Sequence, residues 1–372
     1  MSSLSRRITP AIALFSGLAF GQPAPRHLTN LARAPLPSDP LEIVSDAQPV
    51  QDAQQRLDAI ALLTRAHDLS NVRAQPYDLI TSFTASSGQA SDGSWTLEDI
   101  ARGRSYKWTA QGPNYSIVQL YPQSVQGLLY GNQSAGTMPL RLAEVRDAIF
   151  FTYQMPGPQA SVRTAKGFLN GTAQNCVLSV IGAGSQTFSG ARNWEESEYC
   201  VDSTTGLLTT YSPVPGLFVH YDYAGAVEFH GKTIPAGFTI SEGGRTVVEA
   251  RTVSVKDPVV SNDAIFSTAG LQPLGVGRAM NPHSRFRSMM PAPGQAEPGA
   301  NAVVDVVVLH GNVSPEGRVL EAEVIASSKT GLNQAALDRV NGLTFGAAAG
   351  QPGVTPQSRE MYFTIEFVPT GE

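Results

Sequence analysis

The sequence predicts an α+β chain: a long antiparallel sheet with packed helices, followed by a small ββαβ module. Three observations predict it. Between 77 and 257, short β-rich runs follow one another, divided by Gly, Pro, Asn and Asp turn signals, the pattern of an antiparallel meander. Two stretches, 51–69 and 138–151, interrupt that pattern with apolar residues at helical spacing. From 302 to 368 the period runs strand, strand, helix, strand within one short segment.

The composition allows such a core. With 372 residues, 42% hydrophobic and 15% charged, the chain is long enough for two or more domains. Its net charge of -5 is spread over scattered positions. No Lys/Arg stripe is present to neutralise phosphates, which excludes a nucleic-acid surface.

In chain order, Arg6 and Arg7 precede an apolar run over 8–20, and Ala19-Phe20-Gly21 has the small-x-small pattern of a cleavage site before Gln22. Residues 1–21 therefore read as a secretory signal peptide cleaved near Gly21, giving a periplasmic or secreted protein. The run is shorter than the about 20 apolar residues that span a bilayer, and no Cys stands at the cleavage point to carry a lipid. Residues 22–49 are rich in Pro, Ala and polar residues without a period, an extended and poorly ordered leader.

The first folded region is expected over 50–270. It opens with an amphipathic helix over 51–69, with Leu57, Ile60, Leu63 and Ala66 or His67 on its packing face. Strands are expected at 77–86, 94–101, 104–111, 115–121 and 124–131. A helix over 138–151 follows, with Pro139 near its start and Leu142, Val145 and Ile149 at helical spacing. Strands resume at 168–181, 193–202, 207–213, 218–230, 235–243 and 245–257. Residues 271–300 carry Pro, Gly and Ala without a period and read as a linker that lets two domains reorient. Arg278, Arg285 and Arg287 within it read as solvated charge more readily than as a basic patch.

Cys176 and Cys200 are the two cysteines of the chain. They fall in adjacent predicted strands, and an even count in an exported chain favours one disulfide over two buried thiols.

The C-terminal module, 301–370, is the most informative stretch. AVVDVVVLHGNV and VLEAEVIAS flank the turn SPEGR, where Pro315 and Gly317 preset the reversal. In TGLNQAALDRVNGL, Asn333 is placed to cap a helix with Leu332, Ala336 and Val340 on one face and Leu332 stapled on Leu337. In REMYFTIEF, Met361, Phe363, Ile365 and Phe367 alternate with Glu360, Tyr362, Thr364 and Glu366, a half-buried strand.

The order SPEGRVLEAEVIASS, LNQAALDRV and a closing YFTIEF resembles the C-terminal domain of TonB-family proteins. Lys329, Asn333 and Gly346 depart from that family's pattern. The resemblance implies a small ββαβ domain in a periplasmic binding or adaptor protein involved in transport across the envelope. The phrases CVDSTTGLL, YDYAGAVEFHGKTIPAGFTI and NDAIFSTAGLQPL resemble the LolA/LolB-like fold of periplasmic lipoprotein carriers. That resemblance implies an antiparallel half-barrel-like sheet wrapped on helices over about 50–270, and a concavity able to hold a lipid or other apolar ligand.

The sequence carries no catalytic constellation that would make this an enzyme. VIGAGSQT, at 180–187, has two glycines after a strand, but Thr187 stands at the third position and no helix pattern follows, so a dinucleotide fingerprint fails. No nucleophile elbow, HExxH, P-loop or EF-hand loop occurs, and no cofactor is implied. The histidines His27, His67, His220, His230, His283 and His310 show no metal-ligand spacing; His220 and His230 lack a third ligand. Glu195, Glu196 and Glu198 read as a solvated charged face that discourages strand aggregation.

Two functions remain. One is an adaptor that takes an envelope protein or peptide, or a second copy of the module, by strand addition along the last strand. Its contact residues are Glu360, Tyr362, Thr364 and Glu366, on the face away from the helix, with Pro369 beyond. The other is a carrier of a lipid or apolar ligand in the first region.

Overall fold

A computed structural model of the chain describes residues 42–43, 47–87, 91–122, 128–133, 138–150, 152–153, 155–157, 160–180, 196–259, 263–276, 289–291, 305–345 and 358–367. The signal segment, most of the leader, the glycines of VIGAGSQT, Glu195, His27, His283 and the three linker arginines lie outside those residues.

In chain order the elements are β1 (Glu42–Ile43), β2 (Gln48–Pro49), α1 (Ala53–Ser70), β3 (Tyr77–Ala85), β4 (Gly93–Arg102), β5 (Ser105–Gln111), β6 (Ser116–Tyr121) and β7 (Leu128–Gln133). Then come α2 (Leu140–Phe150), β8 (Ser161–Leu169), β9 (Thr172–Val180), β10 (Ser197–Asp202), β11 (Leu208–Val214) and β12 (Leu217–Asp222). The short hairpin β13 (Val227–Phe229) and β14 (Lys232–Ile234) precedes β15 (Gly237–Glu242), β16 (Arg245–Lys256) and β17 (Gln272–Val276). The C-terminal module has β18 (Met289–Pro291), β19 (Asp305–Val313), β20 (Val319–Ser327), α3 (Asn333–Asn341) and β21 (Arg359–Phe367).

One open, antiparallel, 15-stranded sheet carries the first region, in the order β1-β8-β9-β10-β11-β12-β15-β16-β3-β4-β5-β6-β7-β17, with β2 also on β8. It is two meanders, β3 to β7 and β8 to β16, sewn together where β16 pairs β3. Strands β5 and β12 stand five places apart in that order, about 24 Å across a flat sheet. Yet α2 bonds to both, through Arg146 to the Tyr106 hydroxyl and through the Ala148 carbonyl to the Tyr221 hydroxyl. A helix is only about 10–12 Å across with its side chains, so the sheet must curl around it.

Both long predicted helices form, and α1 starts as a capped helix should: the Asp52 side chain accepts from the Gln54 and Gln55 amides. Its packing face matches the expected one at Leu63 and Ala66 and departs from it at Leu57. Ala59, Leu63 and Ala66 are buried, while Leu57 is 58% exposed. In the strand expected over 168–181, Asn170 and Gly171 instead form a tight turn with φ of 49° and 80°, dividing it into β8 and β9. Asn-Gly between alternating runs is the strongest short hairpin signal; reading through it hid β8. The leader ends in structure, since β1 and β2 pair with β8.

The C-terminal ββαβ order is as expected, but two details differ. Asn333 is the first residue of α3 and buried, with Leu332 at the N-cap position and no side-chain cap bond. Two described stretches of the expected linker are paired: β17 with β7 and β18 with β21.

The four-stranded sheet, in the order β18-β21-β19-β20, is apolar on both faces. On one, Val307, Leu309, Val324, Phe363 and Ile365 pack on Ala336, Leu337 and Val340 of α3. On the other, Val306, Val308, Ile325, Ala326 and Tyr362 belong to the same core as α1, α2 and the large sheet. The run DVVVLH of β19 is buried throughout, as a strand covered on both sides must be. Gly216, between β11 and β12, lies at this contact with φ of 84°. A Cβ there would come within 2.8 Å of the Ala326 Cβ and the Ile325 carbonyl. The module thus sits against the large sheet and α2 as part of one core.

Candidate functional site

Helix α2 is the hub of the molecule. Its sequence, LRLAEVRDAIF, buries Arg141, Glu144 and Asp147 together with its apolar residues. Charge buried to that degree needs partners, and α2 finds them on two sides. Toward the large sheet, the Arg146 guanidinium lies 3.7 Å over the Trp108 ring and bonds the Tyr106 hydroxyl. Tyr106 and Tyr77 in turn donate to the buried Asp99 at 2.7 and 2.8 Å. Burial raises the Asp99 carboxyl to about 6, against the pull of Arg146 and the two phenols.

Toward the C-terminal module, Arg141 is fully buried. It donates to Glu144 at 2.8 Å and to the Tyr362 hydroxyl at 3.2 Å, and it pairs with Glu242 at the end of β15. Tyr362 donates to Glu144, and His310 Nδ1 lies 2.9 Å from Glu242 Oε1. Burial pushes the Glu242 carboxyl up, but Arg141 and then His310 reverse this and hold it down to about 2. Burial pushes His310 down, and Glu242 more than offsets it, so His310 stays above its ordinary value. Glu360 faces the same group and is raised, chiefly by burial, against His310 and Arg141. The cluster therefore joins α2 and β15 to β19 and β21. It is an ionic clasp, closed to solvent.

The second feature is a pocket of about 80 Å³ beside the C-terminal ends of α1 and α2. A water needs about 10–15 Å³ by the same measure, so the space admits a slim organic group. Leu79, Ile149, Phe150, Leu208, Ile234 and Phe238 give it apolar walls. The segment after α2 brings Thr152 and Tyr153 to it, the end of β12 brings Tyr221 and the position just after that strand brings Tyr223, and the end of α1 brings His67 and Ser70. Tyr221 donates to the Ala148 carbonyl at 2.7 Å and Tyr223 to the Leu208 carbonyl at 3.1 Å. The Tyr153 ring stacks on Tyr199 and meets the edge of His67. Burial raises the phenols of Tyr153, Tyr221 and Tyr223 above their ordinary values, so all three stay protonated.

The residues singled out by sequence fall as follows. Cys176 and Cys200 are direct register partners on β9 and β10 and form a disulfide. Their sulfurs and Glu198 are close enough together to hold a metal, but both sulfurs are spent in the bridge. Glu196 and Glu198 are each 1% exposed, not a solvated face; Arg163 pairs with Glu196 at 2.9 Å. The ion pair with Arg163 lets Glu196 stay inside. His220 bonds Thr210 at 3.2 Å, while His230 sits in the β13–β14 turn against Asp257, so the two do not meet at one site.

The expected partner edge is occupied over 364–366. β21 runs between β19 and β18, with Thr364 and Glu366 in register with Met289 and Pro291. Tyr362, Thr364 and Glu366 are buried, and Glu360 is turned toward the clasp. The face expected to meet a partner is covered by the rest of the chain itself. Sequence reading missed Arg141, Glu144, Glu242 and His310, and the tyrosines of the pocket. A signal existed: a helix as apolar all round as α2, yet carrying R, E, R and D, must bury some of that charge.

No known family model matches the sequence, and no curated protein matches it. Among solved structures, a LolA superfamily protein of Nitrosomonas europaea is similar, with a TM-score of 0.35 and 8% identity over 56% of this chain and 97% of that one. Similarity at that level assigns neither family nor function, and none of these comparisons bears on the TonB-family resemblance.

Proposed function

We propose that this chain is a non-catalytic, exported binding protein that carries a small apolar ligand in the pocket between α1, α2 and the curled sheet. The observation that carries the reading is the pocket itself: aliphatic and aromatic walls with a few convergent hydroxyls, the usual make-up of a small-molecule site. The Cys176–Cys200 bridge supports export to an oxidising compartment. The burial of Tyr362, Thr364 and Glu366 favours the carrier reading over strand addition at β21.

The test is titration of the oxidised, full mature chain with the fluorescent apolar probe N-phenyl-1-naphthylamine. One saturable site is expected. Replacing Ser70, at the end of α1 on the pocket wall, by Trp fills the space and should abolish that site while thermal stability is kept. Absence of saturable binding, or binding untouched in Ser70→Trp, overturns the proposal.

A further inference from the structure

The polarity of the pocket narrows the ligand, on the reading that the pocket is a carrier site. Among the described residues that line it there is no Asp, Glu, Lys or Arg. Its polar groups are the hydroxyls of Ser70, Thr81, Thr152, Tyr153, Tyr221, Tyr223 and Thr252, the Asn71 amide and the His67 ring. Lys232 lies nearby on β14, and its ammonium donates to the Asp68 backbone carbonyl at 2.6 Å. An anionic head group would find no Lys or Arg on the wall, and the His67 ring already lies 3.5 Å from the Asp68 carboxylate; burying an unpaired carboxylate is far costlier than burying a neutral acceptor.

One group on the wall asks for such an acceptor. The Tyr221 and Tyr223 hydroxyls are spent on backbone carbonyls. The Tyr153 hydroxyl is buried, and its hydrogen-bonding neighbour, the Ser70 hydroxyl, falls short of a hydrogen bond of normal geometry. The Ser70 hydroxyl beside it is directed to the Ala66 carbonyl at 3.2 Å. Buried hydroxyls are normally satisfied, and one that is not, on a pocket wall, marks a place for a ligand atom. Held by the His67 edge and the Tyr199 face, the Tyr153 ring has little freedom to turn its hydroxyl elsewhere.

We propose that the pocket takes a neutral amphiphile, an apolar chain bearing an ester, amide or ketone carbonyl, and that Tyr153 donates a hydrogen bond to that carbonyl. The same wall, lacking Lys and Arg, disfavours fatty-acid anions and phosphates. Tyr153 sets head-group specificity; the aliphatic residues around it supply most of the affinity.

The experiment displaces N-phenyl-1-naphthylamine from the oxidised full chain at neutral pH with 1-monodecanoylglycerol or with decanoate, ligands of one chain length that differ in head-group charge. The neutral ester is expected to compete at least about tenfold better, since the anion loses its hydration without a partner. In Tyr153→Phe, which keeps the ring and its stacking, ester affinity should fall about three- to tenfold, the range of one hydrogen bond. Affinity for the probe, which has no carbonyl, should stay unchanged in that variant. Equal or better competition by decanoate, or an ester affinity unmoved by Tyr153→Phe, overturns the head-group assignment and leaves the carrier reading standing. If the probe itself finds no saturable site, the carrier reading falls and the assignment falls with it.

Discussion

Tyr362 on the last strand donates a hydrogen bond to Glu144 on α2, across 218 positions of sequence, and both side chains are buried. Arg141 stands between them and Glu242. This contact makes the C-terminal module part of the same folding unit as the large sheet. The full chain is expected to melt in one calorimetric transition, because Val306, Val308, Ile325 and Ala326 would be exposed if the module came away. Two separated transitions would show that the halves fold independently.

Breaking the clasp from one side should be expensive. Arg141→Met removes the cation that holds Glu144 and Glu242, leaving buried carboxylates uncompensated at a cost of about 3–5 kcal/mol. Tyr362→Phe removes only a donor to Glu144 and should cost about 1–3 kcal/mol. Urea unfolding measures both, and an Arg141→Met variant within about 1 kcal/mol of the parent would mean that the clasp contributes register more than stability.

The clasp also sets a pH dependence. Glu242 is held at about 2 in the folded chain against an ordinary 4.5, so its stabilising contribution is full above about 4.5 and is lost as pH falls through about 2. His310 is raised above its ordinary 6.5, so its contribution is present below 6.5 and is lost as pH rises through the folded value. Asp99 runs the other way: raised from 3.8 to about 6, it costs stability progressively as pH rises across that window. Glu360, also raised, adds to that cost as pH rises through its own titration. His310→Gln should flatten the alkaline side of a stability profile, and Glu242→Gln the acid side below about 4.5. A parent profile unchanged on the alkaline side by His310→Gln would remove His310 from this account.

The disulfide closes a loop with a sequence separation of 24, which by the chain-entropy account stabilises by about 3 kcal/mol. Cys176→Ser with Cys200→Ser should lower the unfolding free energy by about that amount, and reductant should do the same to the parent alone. Mass spectrometry of the unreduced protein checks the pairing directly; two free thiols would refute it.

Thr364→Pro tests where β21 stands. In an open edge strand Pro is tolerated, but Thr364 pairs with Val308 on one side and Met289 on the other. The substitution should destabilise the whole chain by about 3 kcal/mol or more, seen as lost circular dichroism or a lowered midpoint. Retained stability would return β21 to the status of an available edge.

Local pattern alone carried much of this fold. Alternation in SWTLEDIA, the helical spacing of Leu142, Val145 and Ile149, and the Pro315–Gly317 turn each decide a backbone state within a few residues, and the structure places a strand, a helix and a turn there. The disulfide was legible for a related reason: two cysteines leave one intramolecular pairing, and both fell in neighbouring strands. The pocket and the clasp were not legible. Arg141, Glu242 and His310 share no local period, and Tyr153 and Tyr223 lie on segments far apart in sequence; only the curl of the sheet around α2 brings each set together. REMYFTIEF shows the limit most clearly. Its period of two told which residues share a face, but the same alternation fits a strand with a wet face and one with a second apolar neighbour. Which of these β21 is depended on whether another surface covered Tyr362, Thr364 and Glu366, and that surface comes from residues more than a hundred positions away.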